Sequence, residues 1–241
     1  MMDINRYQPR PKTIRYMAGY LAMFLGSLAT RIKVTGRQFI PKSGPFIIVS
    51  NHFSVLDPVF VIASIRRPIN FLMASDQELE MDLSWAPWLY GFIPTNRTKL
   101  VPSTIKKSLK VLRKGEVLGI FPEATSLSTK LRPAKDGAAY LSVATNVPIL
   151  PVGVYGTANL WSNLFRGVRQ TVTVNIGRQF GPFSFSASER KDKQKALKII
   201  GMEIMCRIGA LLPAESQGIV KNDPHVVQYR AENERLSGKI S

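Results

Sequence analysis

Short apolar runs alternate with stretches of helical spacing along this chain of 241 residues. Residues 46–50, 69–74, 117–121 and 149–155 read as strands, and the run Phe46-Ile47-Ile48-Val49 reads as a buried one. Residues 33–38 read as a further strand, closed by the turn Pro41-Lys42-Ser43-Gly44, and 171–176 alternates as a half-buried strand does. Helices are expected over 13–31, 58–66, 77–90, 103–114, 137–145 and 188–211. Asp57 stands at the N-cap of the second, with Pro58 at its first helical position. Pro87 disturbs the third. Ile105, Leu109 and Leu112 keep one face of the fourth, which Gly115 stops. Leu197, Ile200, Ile204, Ile208 and Leu211 line one side of the last. Strands alternating with helices predict an α/β fold, a single domain whose mixed central sheet is flanked by helices.

The first helix changes the picture of where the protein works. Residues 16–30 are mostly apolar, with Arg15 before them and Arg31 and Lys33 after. Fifteen helical residues reach about 22 Å at 1.5 Å each, short of the ~30 Å hydrocarbon core. The stretch has no Ala-x-Ala-like cleavage site. An amphipathic, apolar helix lying in a membrane interface with basic flanks fits it, and a core helix packed on the domain is the plainer alternative. The chain therefore divides into a membrane-associating helix over 1–31, a domain over 32–212 and a polar tail over 213–241.

The net charge of +17 points to an anionic partner. No zinc-finger spacing, RNA-binding aromatic motif or helix-turn-helix is present, and the cations are spread along the chain. Anionic membrane lipid or a phosphorylated substrate explains the charge better than nucleic acid. The single cysteine, Cys206, rules out an internal disulfide, permits a reducing compartment and reads as a core residue. No metal-ligand cluster and no Gly-rich nucleotide loop occur, so no metal and no cofactor are expected.

Chemistry gathers at two strand exits. Asn51-His52-Phe53-Ser54-Val55-Leu56-Asp57-Pro58 follows the strand at 46–50, and Phe121-Pro122-Glu123-Ala124-Thr125-Ser126 follows Val117-Leu118-Gly119-Ile120. Together they suggest one site at one edge of the sheet. Neutral imidazole suits proton abstraction near pH 7, and Asp57 could orient the His52 ring. On a continuous helix a spacing of five turns the two side chains about 140° apart, so the pair requires a turn over 52–56. A plain N-cap for Asp57 and a satisfied loop histidine are the alternatives. Ser54 reads as a local turn hydrogen-bonder rather than a nucleophile. His225, beside Asp223 and Pro224 in the tail, reads as surface.

These residues resemble those of the glycerolipid acyltransferases, the lysophosphatidate acyltransferases among them. His52 and Asp57 match the HxxxxD motif. Gly91-Phe92-Ile93-Pro94-Thr95-Asn96-Arg97 looks like the second block, which ends in arginine, and Phe121-Pro122-Glu123-Ala124-Thr125 like the third, usually FPEGT followed by arginine. Lys135-Asp136-Gly137-Ala138-Ala139 and Val147-Pro148-Ile149-Leu150-Pro151-Val152 follow in family order, so the likeness covers roughly 32–160. Ala124 stands where glycine is usual, a sterically mild change, and Ser126 where arginine is usual, which removes a cation expected near the acceptor phosphate.

The resemblance implies an O-acyltransferase at the cytoplasmic face of a membrane. It would carry a fatty acyl group from acyl-CoA or acyl-carrier protein to the hydroxyl of a lysophospholipid, lysophosphatidate first. His52 and Asp57 would be catalytic, with Arg97, Glu123, Thr125 and Lys135 binding substrate. Arg97 would hold the phosphate, and Glu123 would contact a glycerol hydroxyl or Arg97, or else form a structural ion pair. Thr125 would bind substrate or shape the loop. Lys135, Lys130 or Arg132 could replace the charge lost at Ser126, and the sequence does not choose among them. Another acceptor (a glycolipid, neutral lysolipid or ornithine lipid) and a catalytically silent lipid-binding relative are the competing readings.

Overall fold

The computed structural model describes residues 10–74, 90–96, 101–124, 128–185 and 192–238. In chain order the elements are α1 (Lys12–Ala29), β1 (Arg31–Thr35), β2 (Phe46–Ser50), α2 (Asp57–Ile65), β3 (Ile69–Ala74), β4 (Ile93–Thr95) and α3 (Pro102–Arg113). There follow β5 (Val117–Ile120), α4 (Gly137–Thr145), β6 (Ile149–Tyr155), α5 (Leu160–Phe165), β7 (Thr171–Ile176), α6 (Lys193–Gly209) and α7 (Pro224–Leu236). The strands form one mixed seven-stranded sheet in the order β1-β7-β6-β2-β5-β3-β4. β6, β2, β5, β3 and β4 run parallel, while β7 opposes β6 and carries β1 parallel to itself. The fully apolar strand interiors follow from burial on both faces: every residue of β2 and β5 is buried.

Alternate side chains of those strands feed two cores. Ile47, Val49, Leu118 and Ile149 meet α3, α4 and α6 through Leu112, Leu141, Ile200 and Ile204. Phe46, Ile48, Val117 and Leu150 meet α2 through Phe60, Val61 and Ile65, and α1 packs there through Ala18. The chain leaves β2 toward α2 on one face and leaves β5 toward α4 on the other. Adjacent parallel strands whose connections depart to opposite faces open a crevice at their carboxyl ends. His52 and Glu123 follow these two strands at their carboxyl ends.

A buried polar network locks the start of α1 to the far edge of the sheet. Arg15, only 4% exposed, donates to Asn70 Oδ1 (3.0 Å) and Ile69 O (3.3 Å) and pairs with Glu116 (3.5 Å). Asn70 in turn donates to Glu116 (3.1 Å). Burial pushes the Glu116 carboxyl up, but the Asn70 bond and the charges of Lys12 and Arg15 outweigh it and hold it below its ordinary value. Only a charge this well paired is tolerated there.

The strand expected at 33–38 begins two residues earlier and ends three earlier, since Gly36 takes φ 74° and Arg37–Phe39 turn as a 3-10 helix. β4, α5 and α7 are additions to the sequence-level picture. α7 has no apolar stripe. It is started by Asp223, which accepts from the His225 N–H, and anchored by buried Val226. The helix expected over 77–90 and the start of the one expected from 188 lie outside the described residues, apart from Tyr90. Cys206 is buried in the core, and burial pushes its thiol up to about 12.

Candidate functional site

β2 delivers Asn51 and His52 to the crevice. Asn51 is completely buried, donating to Val154 O (2.7 Å) and accepting from Val154 N (2.8 Å). Its amide thus extends the β2–β6 ladder by one rung and fixes where the next residue emerges. The chain then turns, with the Asp57 N–H donating to Ser54 O (3.1 Å). That turn over 52–56 is what the spacing of five required.

Asp57 is not an N-cap. Its carboxylate faces backward and accepts no bond from α2: Oδ2 takes the N–H groups of Phe53 (2.6 Å) and Ser54 (2.7 Å). Oδ1 takes the Thr157 hydroxyl (3.0 Å). Asp57 is wholly buried, and His52 Nδ1 lies 3.6 Å from its Oδ2. Ser54 is the turn hydrogen-bonder expected, its hydroxyl accepting from Leu56 N (3.3 Å).

Thr157 escaped the sequence reading. The only signal for it was Gly156 before it, at the end of an apolar run. Gly156 adopts φ 85°, and a Cβ there would sit 2.4 Å from Thr171 O. Glycine alone lets the chain turn so tightly and bring Thr157 beneath Asp57.

The His52 ring stacks on Phe121 at 4.4 Å between centroids, and Phe121 stacks on Phe71 at 5.6 Å. Gly119 makes room for this stack, since a Cβ there would meet Phe71 at 2.5 Å. The aromatic wall fixes the imidazole plane and excludes water from one side of it.

Glu123, at the exit of β5, is 4% exposed. Its Oε1 accepts the His52 backbone N–H (3.1 Å) and its Oε2 the Arg132 backbone N–H (3.0 Å), with Arg132 Nε 3.9 Å away. Burial pushes this carboxyl above its ordinary range, opposed by the two N–H donors and the Arg132 charge. Glu123 therefore braces three chain segments, and of the three cations considered at Ser126 it is Arg132 that stands against it. Lys135 is exposed, and its N–H donates to Pro122 O (2.9 Å), which places it beside the same loop. Arg97, Thr125 and Ser126 lie outside the described residues. Ala124 adopts φ 60°. Glycine reaches this left-handed region freely, whereas an alanine there costs roughly 1–2 kcal/mol, so the departure from glycine is less mild than its small side chain suggests.

His52 thus follows a central strand with a buried acid 3.6 Å from its ring nitrogen. The family profile described as Acyltransferase matches residues 31–155, just over half of the chain. The chain belongs to the acyltransferase family. Among relatives of this acyltransferase, the 1-acyl-sn-glycerol-3-phosphate acyltransferase of Borreliella burgdorferi is 32% identical over 135 residues, covering 54% of each chain. The enzyme of that name from Saccharomyces cerevisiae is 31% identical over 142 residues, 56% of this chain and 46% of its own. The crystal structure of the 1-acyl-sn-glycerophosphate acyltransferase PlsC from Thermotoga maritima superposes with a TM-score of 0.55 at 25% identity, over 79% of this chain and 78% of that one. The chain spans about half the length of the curated relatives it matches first.

Proposed function

We propose that this acyltransferase is a membrane-associated O-acyltransferase that transfers a fatty acyl group from a thioester to the free hydroxyl of lysophosphatidate, giving phosphatidate. The observation that carries the mechanism is the placement of His52 Nδ1 beside the buried Asp57 carboxylate, at 3.6 Å. With Nδ1 turned to Asp57, Nε2 is the nitrogen left for substrate. It takes the hydroxyl proton as the acceptor oxygen attacks the thioester carbonyl. The new C–O bond forms, the C–S bond breaks, and the proton passes from His52 to the departing thiolate. Asp57 stabilises the imidazolium that forms in between. The mechanism needs no acyl-enzyme and no cofactor.

The acceptor assignment rests on the names of the relatives and on Arg97, which in the family order would meet the phosphate with a planar fork. The donor is proposed to be acyl-CoA or acyl-carrier protein. Glu123, with both oxygens engaged by backbone N–H groups, is assigned to positioning His52 rather than to the acceptor.

The proposed membrane contact is α1. Met17, Tyr20, Leu21, Phe24, Leu25 and Leu28 are all at least 49% exposed and repeat at helical spacing along one side. Among the described residues no helix is long and apolar enough to cross a membrane, so α1 would lie in the interface of anionic lipid at the cytoplasmic face.

Purified protein assayed for free thiol release with acyl-CoA, against lysophosphatidate and neutral lyso-acceptors, tests the reading. Release that depends on lysophosphatidate supports it. Release with a neutral acceptor alone reassigns the acceptor in the direction Ser126 already suggests, and no release with any acceptor, with either acyl-CoA or acyl-carrier protein as donor, overturns the activity.

A further inference from the structure

The segment between β6 and β7 stands at the same sheet edge as His52 and has no task in the mechanism beyond Thr157. It is fastened firmly at its base. Gln170 donates to Gly156 O (2.6 Å) and Ala158 O (2.8 Å), accepts from Asn163 Nδ2, and its carbonyl takes the Arg31 N–H (2.9 Å). Arg169 donates to Ser27 O and Thr30 O at the end of α1. The far end of the segment is apolar and bare: Phe165 is 86% exposed and Val168 54%. Arg166 and Arg169 flank them, and no acidic residue occurs from Leu160 to Gln170.

We propose that this tip, Phe165 with Val168, is a second membrane-insertion point, seated in the interface of an anionic bilayer beside the carboxyl-terminal half of α1. The inference rests on the membrane association proposed above and goes beyond it by fixing orientation. The one-sided apolar row of α1, locked to the sheet through Arg15, sets the roll of the domain, and a second contact at the tip sets its tilt. The choice of lipid over a protein partner follows from charge and continuity. An apolar tip ringed by arginines matches an anionic headgroup layer, and the Arg169 bonds make the tip continuous with the exposed row ending at Phe24, Leu25 and Leu28. Val55, 51% exposed on the turn that carries His52, lies at the same edge. Seated this way, the sheet edge faces the leaflet, and an acceptor lipid reaches His52 without leaving it.

The test uses the full chain carrying Phe165→Cys, labelled with a polarity-sensitive fluorophore. Cys206 is 2% exposed and stays unlabelled. Vesicles of phosphatidylglycerol and phosphatidylcholine should shift the emission to the blue, and lipids brominated in the acyl chain should quench it, with sedimentation run in parallel. Sedimentation with no shift and no quenching overturns the second contact and leaves membrane association standing. No sedimentation at all overturns the association on which it rests. As a second reading, F165S/V168S should weaken vesicle partitioning about ten-fold while leaving turnover of a water-soluble short-chain acceptor unchanged. Equal loss with soluble and vesicle-borne acceptors overturns the proposal, because the segment would then be acting on the site itself.

Discussion

His52 Nδ1 stands 3.6 Å from Asp57 Oδ2, outside hydrogen-bond reach, while that same oxygen is held by two backbone N–H groups at 2.6 and 2.7 Å. Asp57 thus organises the turn first and faces the imidazole as a fixed negative charge. Proton uptake by His52 should draw the two together, since the attraction grows only as the ring becomes charged.

Asp57→Asn should separate these two duties. An asparagine oxygen can still accept from Phe53 and Ser54, and its amide can donate to the Thr157 hydroxyl, so thermal unfolding should stay near wild type. Only the charge is lost, and kcat should fall about a hundred- to ten-thousand-fold with KM little changed. Asp57→Ala strands the same partners and should cost about 3 kcal/mol or more. His52→Ala and His52→Gln should both fold and be nearly inactive; near wild-type turnover in either would remove the general-base assignment.

Thr157→Val keeps shape and deletes one donor to Asp57. The loss should be about 1–3 kcal/mol of stability. In addition, kcat should fall with KM little changed, because Asp57 loses a bond that fixes it against the His52 ring. An unchanged kcat in the folded variant would make Thr157 structural only.

Glu123 carries a pH signature. Its folded carboxyl is raised above its ordinary value by burial, so the folded state binds a proton more tightly than the unfolded chain. Stability from this group is present below the ordinary glutamate range and is lost as pH rises through the folded value. Urea midpoints measured upward from about pH 4 should show that loss in the wild type. Glu123→Gln should abolish it, and should also lower activity, because its amide sets a donor against the His52 or Arg132 N–H.

Arg97→Ala should raise KM for a phosphorylated acceptor about ten- to hundred-fold more than for a neutral one, the worth of a charge-assisted hydrogen bond. Ser126→Arg should tighten lysophosphatidate use. Equal effects of Arg97→Ala on both acceptors, with no effect of Ser126→Arg, would mark the natural acceptor as something other than a phosphomonoester.

Met17→Ser, Phe24→Ser and Leu28→Ser together should release the protein from anionic vesicles while leaving its unfolding midpoint nearly unchanged. Deleting α1 is the poorer experiment, because Arg15 is built into the sheet through Asn70 and Glu116. Wild-type binding should weaken with salt without vanishing, since the apolar term persists.

The sequence by itself determined the parallel heart of the sheet and the residues at its two busy exits. Fully buried strands must be apolar throughout, and β2, β5 and β6 announce themselves that way. His52 and Asp57 are close in sequence, so a local turn settles their meeting, and motif order places Glu123 in the same site. Tertiary structure decided the rest. Thr157 lies 100 residues from Asp57 and Glu123 lies 71 from His52, and no local pattern encodes a partner at that distance. β4 has three residues and α7 one buried anchor, too little apolar periodicity to register. The burial of Arg15 inside a helix that reads as interfacial also came from the fold, because a charge is buried only where Asn70 and Glu116 from other elements arrive to meet it.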